Sequence, residues 1–131
     1  MDMPDWVTGF PGAVTVSDGN HRILWMNDKA AQVFSADGGR SLIGGDLMAC
    51  HNDRSKEILR RMLADGKPNI YTIEKKGVKK FIYQTPWKDE SGRVAGLVEL
   101  SLEIPFEMPH FVRSCIPRAP IPSIRPSPAF E

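Results

Sequence analysis

The stretch that decides the fold runs from Val78 to Ile104 and has the sequence VKKFIYQTPWKDESGRVAGLVELSLEI. In its second half polar and apolar side chains alternate, which predicts a strand with one buried face and one face in water. The side chains expected to point inward are Val98, Leu100 and Leu102, and those expected to point outward are Glu99, Ser101 and Glu103. The first half is rich in β-forming residues, and residues 88–93 supply a polar turn that contains glycine. The stretch therefore predicts a long antiparallel hairpin, with a bulge, an edge or a strand end at Pro86, because proline cannot donate to a ladder.

Length and composition indicate one domain. The chain has 131 residues, of which 41% are apolar and 25% are charged, close to globular averages. Its formal net charge of +1 gives no general attraction to nucleic acid or to an anionic membrane, so neither is expected as a partner. No apolar run approaches the roughly 20 residues that a membrane-spanning helix needs, and the N-terminal residues do not resemble a secretory signal. Two cysteines, Cys50 and Cys115, are too few for a disulfide framework, so we expect a soluble cytoplasmic protein.

The rest of the chain predicts further strands and helices in a regular order. A short helical cap is expected at the N-terminus, and a hairpin turn is expected at Asp18-Gly19-Asn20. The paired glycines between residues 41 and 50 favour short helical turns over one long helix. The other predicted elements follow from periodicity and capping residues: strands at 13–17, 22–26 and 69–74, a helix at 29–34, and a longer helix from Asn52 or Asp53 to Gly66.

This order resembles that of a PAS domain. The matching segments are PGAVTVSD, the turn DGN, ILWMNDKAAQVF, LIGGDLMACH and the terminal hairpin TPWKDESGRVAGLVELSLEI. The resemblance as a whole spans about residues 10 to 106. The resemblance is closest to small stand-alone PAS sensor proteins. It implies an α+β fold in which helices pack over one face of a five-stranded antiparallel sheet, with a pocket between the two layers. We expect a single PAS domain over residues 1–113 and a proline-rich tail over residues 114–131.

Cys50 and His51 are the adjacent pair best suited to chemistry. The resemblance implies that His51 is a candidate haem or metal ligand, because haem-binding PAS domains place an axial histidine in this helical region. A redox-responsive thiol and a Cys–His nucleophile pair are two further interpretations. The alternative is structural, with His51 as a polar cap and Cys50 as a small hydrophobic residue. A flavin photoadduct is not expected, because the sequence around Cys50 differs from the Asn-Cys-Arg-Phe-Leu-Gln of the photosensor branch.

A ligand, if bound, is expected between the sheet and the segment from Leu47 to Met62. The candidate pocket residues are Cys50, His51, Trp25, Tyr83 and Leu100. The cofactor stays unknown, with haem through His51 as one option, and neither a dedicated metal site nor catalytic residues are predicted. The aromatic candidates are equally suited to an ordinary sheet–helix core. His21 is expected in an exposed turn.

These observations favour a non-enzymatic sensory or regulatory module that binds a small ligand or a partner protein. The rival hypothesis is an interaction scaffold without a ligand, and an enzyme that uses Cys50 is a remote third. We expect a homodimer formed through the sheet face that the helices leave free, with Leu97 and hairpin aromatics on that face. Seven of the 11 prolines lie beyond Ile104, and the tail after Arg113 is expected to be dispensable for folding.

Overall fold

The computed structural model describes residues 2–114, and within them it contains one five-stranded antiparallel sheet and three α-helices. The elements in chain order are α1 (Asp5–Thr8), β1 (Ala13–Asp18), β2 (Ile23–Met26), α2 (Asp28–Val33), three 3₁₀ turns (Ser35–Asp37, Gly39–Leu42 and Leu47–Cys50), α3 (Asp53–Asp65), β3 (Asn69–Lys75), β4 (Val78–Lys88) and β5 (Val94–Ile104). The predicted elements are confirmed, with ends that differ by up to four residues. The predicted tail, apart from Ser114, lies outside the described residues.

The strand order is β2-β1-β5-β4-β3, so the last strand lies in the middle of the sheet. One row of paired residues crosses all five strands: Met26, Thr15, Glu99, Gln84 and Asn69. The pairing of β3 with β4 stops at Gln84 of β4. Pro86 lies beyond this residue, in a part of β4 that forms the edge of the sheet. The pairing of β4 with β5 shifts just beyond it, between Trp87 and Lys88. The expected edge and bulge near Pro86 are thus both present.

Local capping signals set the ends of the longest helix. The Asn52 side chain accepts a hydrogen bond from the Ser55 amide at 2.8 Å, which satisfies one of the free N–H groups of the first turn. Gly66 ends α3 in the left-handed conformation with φ of 72°, which costs a glycine little. On the face towards the sheet, α3 buries Leu59 and Met62. The expected capping and C-terminal residues of this helix are confirmed.

The side of β5 that faces the helices is the opposite of the predicted one. Leu97 is 3% exposed and packs with Leu59 and Met62 of α3 in one core cluster. The β4–β5 register runs without a shift from Gly96 to Ile104, and side chains alternate along it. Leu97 and Glu99 consequently share the face that the helices cover. Leu100 lies on the other face.

The prediction that Val98, Leu100 and Leu102 point inward is therefore wrong, and so is the outward placement of Glu99 and Ser101. Glu103 lies on the same side of β5 but beyond the helices, and it is exposed as expected. The alternation itself is real, but it does not say which face of the strand the helices cover. Here the polar face lines a cavity, and the apolar face is the outer one. The expectation that Leu97 lies on the free face is wrong for the same reason.

The outer face of the sheet is a nearly continuous apolar surface, here called the outer apolar face. Its side chains occupy alternate positions along neighbouring strands and so lie on the same side of the sheet: Val14, Val16, Trp25, Ile70, Phe81, Tyr83, Val98, Leu100 and Leu102. Phe10 and Leu102 meet above Gly12, so the N-terminal segment covers one end of this face. Farther along the sheet, Ile70 is 48% exposed.

No helix among residues 2–114 is long and apolar enough to cross a membrane.

Candidate functional site

A cavity of about 860 Å³ separates the inner face of the sheet from the helical layer. Its apolar wall comes from the sheet, the 3₁₀ turns and α3: Ile23, Met26, Phe34, Leu42, Leu47, Ile58, Leu59, Met62 and Leu97. The helical layer is irregular here, since 3₁₀ turns and not a continuous helix lie between α2 and α3. Such short turns leave space that a regular helix would fill. The cavity lies where the sequence predicted a ligand site, between the sheet and the Leu47–Met62 segment.

A chain of polar side chains lies on the sheet side of the cavity. Asn69 Nδ2 donates to Gln84 Oε1 at 2.9 Å, and Gln84 Nε2 donates to Glu99 Oε2 at 2.6 Å. These residues are direct neighbours on β3, β4 and β5, and Thr15 of β1 continues the row. Gln84 is only 8% exposed. Its side-chain amide is hydrogen-bonded to both Asn69 and Glu99, as is usual for a buried polar group. We call Thr15, Glu99, Gln84 and Asn69 the polar row.

Tyr71 lies beside the polar row on the same face of β3. Gln84 Nε2 lies 3.5 Å from the Tyr71 hydroxyl oxygen, which accepts this weak hydrogen bond. Burial raises the pKa of Tyr71 above its ordinary value of 10.0, and the negative charge of Glu99 adds to the shift, against the Gln84 hydrogen bond. The phenol therefore stays protonated at neutral pH. Its O–H can act as a donor towards the cavity.

His51 lines the cavity from the entry to α3. Its Nδ1 lies 2.7 Å from the Leu47 carbonyl oxygen. Because a carbonyl oxygen only accepts hydrogen bonds, Nδ1 carries the proton and neutral His51 keeps its lone pair on Nε2. Asp46 caps the preceding turn, since its side chain accepts from the Met48 amide at 2.8 Å. The contact with Leu47 holds Nδ1 of His51 against the backbone and so sets the orientation of its ring.

Solved structures share this architecture. The PAS domain of the histidine kinase ThkA superposes with a TM-score of 0.58 at 17% identity, over 70% of this chain and 97% of that one. The Aer2 receptor from Vibrio cholerae, a dual PAS-haem oxygen sensor, gives a TM-score of 0.57 at 13% identity, over 72% of this chain and 95% of that one. The fold is that of a PAS domain.

The same PAS fold matches part of a larger receptor. A VqmA–ligand–DNA complex from Vibrio cholerae gives a TM-score of 0.59 at 17% identity, over 75% of this chain but 48% of that one. No protein-family model matches the sequence, and no curated protein matches it. At these identities the likeness concerns the fold alone.

The PAS structure separates the five predicted pocket residues into two groups. His51 lines the cavity, and Cys50 ends the 3₁₀ turn just before it. Trp25, Tyr83 and Leu100 instead belong to the outer apolar face, because they pair with Val16, Leu100 and Val14 on that side of the sheet. They do not line the cavity. The assignment of Leu100 to the pocket followed from the reversed sidedness of β5.

The charged groups that line this cavity do not favour haem. His51 provides an imidazole of suitable tautomer, but Arg54 is the one basic side chain among the described lining residues, against the carboxylates of Asp37, Asp46 and Glu99. A haem carries two propionates, which this charge pattern would repel. No group of three or more His, Cys, Asp or Glu side chains that could hold a metal ion occurs in the described part of the chain.

His21 is not in an exposed environment, contrary to expectation. It is half-buried at a positive φ of 62° in the turn before β2, and its Nδ1 is buried without a hydrogen-bond partner among the described residues. Burial lowers its pKa below the ordinary 6.5, with Asp46 acting in the opposite direction. His21 therefore stays neutral near pH 7. It does not line the cavity.

Sequence reasoning missed the polar row. One signal was available, because Glu99 is a charged residue flanked by Leu97, Val98 and Leu100 in a strand otherwise apolar at its centre. A carboxylate at such a position in a central strand indicates a specific polar function when that face is covered. Without knowledge of the covered face, Glu99 was assigned to solvent.

Proposed function

We propose that this PAS domain is a sensory or regulatory module that binds a small organic molecule in the cavity between sheet and helices. The polar row carries the proposal, because it places Glu99 and Asn69 at the floor of an otherwise apolar cavity. Ligand sites are typically apolar clefts of about 300–1,000 Å³ with a few placed polar groups. A fully packed core of an interaction scaffold would not keep such a space open.

Two structural neighbours support this direction by analogy. Aer2 is a PAS-haem oxygen sensor, and VqmA forms a complex with a ligand and DNA. Both are receptors with a PAS fold. Their ligands do not identify the ligand of this domain, which depends on the side chains of its own cavity. We propose no catalytic role, because among the described residues the hydrogen bond of the His51 ring goes to the Leu47 carbonyl, and none joins it to a serine or threonine hydroxyl that could act as a nucleophile.

The outer apolar face is proposed as the site of homodimer formation. Its aromatic and aliphatic side chains are only partly covered by the N-terminal segment, and isolated monomers rarely expose contiguous apolar areas of this kind. A second copy of the chain brings the same face and hence the matching chemistry, as two-fold symmetry requires. Signalling to a partner protein would then pass through the dimer.

The proposed ligand site is tested by native mass spectrometry and absorbance spectroscopy of protein purified from cells. The central comparison is between Thr15→Phe, which fills the floor of the cavity, and Val16→Phe, which places the same ring on the outer face. We expect a bound small molecule with wild type and Val16→Phe, and its loss from Thr15→Phe. If purification removes the ligand, the three proteins are refolded in the presence of cell extract and the same comparison is made again.

The scaffold hypothesis predicts a different result. Protein that carries no small molecule from cells or from extract, and that no compound in a diverse panel stabilises against heat, would contradict ligand binding. A strong Soret band that disappears in His51→Ala would instead establish haem, against the charge pattern of the cavity. Cytoplasmic localisation is part of the same proposal and is checked by fractionation of cells.

A further inference from the structure

We infer that the cavity selects a small organic amine, whose ammonium group binds the Glu99 carboxylate while its apolar part lies against α3 and the 3₁₀ turns. This inference rests on the proposed function and adds the chemical class of the ligand. It is carried by the contacts of Glu99, by the balance of donors and acceptors around it, and by the shape of the apolar wall.

Glu99 has unused capacity to accept hydrogen bonds. Its recorded hydrogen bond comes from Gln84 Nε2 to Oε2, which leaves Oε1 without a donor among the described residues. The ion pairs in the described part of the chain join Arg40 to Asp28, Arg60 to Glu57 and Arg61 to Asp65, so none neutralises Glu99. A half-buried carboxylate with one amide donor gains most from a cationic donor.

Gln84 cannot rotate to satisfy a different ligand without breaking the row. Its Oε1 accepts from Asn69 and its Nε2 donates to Glu99, so the direction of the amide is set from both sides. Asn69 in turn uses its Nδ2 group, and its Oδ1 has no donor among the described residues. The row thus ends in acceptors at both Glu99 and Asn69. The hydroxyls of Tyr71 and Thr15 can also donate, but a ligand rich in hydrogen-bond donors matches these two acceptors best.

The charged groups around the rim of the cavity add little to this preference for donors. Asp37 and Asp46 are exposed, so water screens their negative charge, while neutral His51 presents the lone pair of Nε2. Arg54 is the opposing cation, but it lies on an exposed part of α3 near the start of the helix, where its charge is screened by water. An anionic ligand would therefore meet repulsion at the floor and only a screened attraction at the rim.

The apolar wall determines the rest of the ligand. Leu97 lies two residues before Glu99 on the same face, and Leu59 and Met62 of α3 stand opposite it. A molecule held at Glu99 by its ammonium group would bury an aromatic or branched aliphatic part against these side chains. Each further buried methylene should tighten binding about fourfold, so amines with larger apolar parts should bind more tightly.

The test is a binding series with matched probes followed by two-dimensional amide NMR. The probes are 3-phenylpropan-1-amine, 3-phenylpropan-1-ol and 3-phenylpropanoate, which share an aromatic ring on a three-carbon chain and differ in the polar end. We expect the amine to bind at least tenfold more tightly than the carboxylate and to shift the side-chain amide signals of Asn69 and Gln84. Glu99→Gln should weaken amine binding about tenfold, whereas Glu103→Gln, on the same face of β5 but outside the cavity, should leave it unchanged.

Each other outcome contradicts the inference in a distinguishable way. If the alcohol or the carboxylate binds as tightly as the amine and shifts the same signals, the amine preference is wrong and the ligand cavity stands. If the amine binds equally to wild type and Glu99→Gln, Glu99 is not its site. If none of the probes binds at millimolar concentration, the inference fails. The heat-stability panel then decides whether the proposed function fails with it.

Discussion

Asn27 connects three parts of the fold through one buried side chain. Its Oδ1 accepts from the amides of Val14 and Ala30 at 3.0 and 2.9 Å, and Nδ2 donates to the Gly12 carbonyl at 2.8 Å. Nδ2 also lies within hydrogen-bond distance of the carbonyls of Val7 and Phe10. The side chain is fully buried, so these backbone groups have no water to replace it. It therefore caps α2 and attaches the N-terminal segment to the sheet.

Asn27→Ala is expected to lower the free energy of unfolding by about 3 kcal/mol, because it leaves several buried backbone groups unsatisfied. The matched control is Asn52→Ala, which removes an exposed cap with one recorded hydrogen bond and should cost about 1 kcal/mol. Urea denaturation measures both. Equal losses in the two variants would contradict the connecting role of Asn27.

Gly96 is required by the close approach of β1 to β5. A Cβ atom at this position would overlap the Ser17 carbonyl oxygen and lie 2.8 Å from the Asp18 Cα. The Trp87 indole donates to the same carbonyl at 3.0 Å, so that oxygen cannot move without breaking a second contact. Both obstacles are backbone atoms, which yield less than side-chain ends.

Gly96→Ala is therefore expected to destabilise the fold by more than about 2 kcal/mol, although Gly→Ala often stabilises by about 0.4–1 kcal/mol where the native backbone permits it. Gly19→Ala is the control, because the nearest atom to its Cβ would be the Ala95 carbonyl oxygen at 3.8 Å. We expect the control to stay within about 0.5 kcal/mol of wild type. Thermal denaturation compares them, and a stable Gly96→Ala variant would rule out the close approach.

At the scale of single elements, the turn of the β4–β5 hairpin is organised by Asp89. Its Oδ1 accepts from the Ser91 hydroxyl at 2.6 Å, the Ser91 amide at 2.9 Å and the Arg93 amide at 3.1 Å. The hydrogen bond from the Ser91 hydroxyl is the largest cause that lowers the pKa of Asp89 from its ordinary 3.8. Gly92 completes the turn at a positive φ of 84°.

The lowered pKa makes the contribution of Asp89 depend on pH. A carboxyl with a lower pKa in the folded state stabilises the fold above its unfolded pKa, and this stabilisation disappears as pH falls through the folded pKa. Asp89→Asn should therefore be less stable than wild type at pH 6, and the difference should shrink near pH 2.5. Glu90→Gln, the neighbouring change of the same kind, should show no such trend. A difference between wild type and Asp89→Asn that is constant with pH would exclude the mechanism.

The elements that depend on local signals were predictable from the sequence, and the sidedness of the sheet was not. Asn52 and Gly66 mark the ends of α3 because capping involves residues only a few positions apart. The alternation along β5 predicted the strand and the set of residues that share a face. It did not predict which set the helices cover, because that depends on contacts between Leu97 and α3 that are distant in sequence.

The candidate site was predictable in position and only partly in composition. The region between the sheet and the Leu47–Met62 segment, and His51 within it, followed from the resemblance. The polar row did not, because Asn69, Gln84 and Glu99 come together only through the register of three strands. A polar residue on an alternating strand is normally assigned to solvent, and here it faces a cavity.

At the scale of the whole molecule, the two faces of the sheet carry different side chains and are proposed to have different functions. The inner face carries the polar row beneath the helices, and the outer apolar face is the proposed contact between two copies. β5 is the central strand and contributes to both faces, with Leu97 on one and Leu100 on the other. β5 thus links the proposed ligand site and the proposed dimer contact.

The measurement that tests this account most directly compares Leu97→Ala with Leu100→Ala in two quantities, the free energy of unfolding of the monomer and the dissociation constant of the dimer. Leu97→Ala should lower the unfolding free energy by about 2–5 kcal/mol, because it opens a cavity in the core beside α3. Leu100→Ala should cost the monomer less than half as much and weaken the dimer at least tenfold in sedimentation equilibrium. If Leu100→Ala destabilises the monomer as much as Leu97→Ala does, or leaves the dimer unchanged, the assignment of the two faces is wrong.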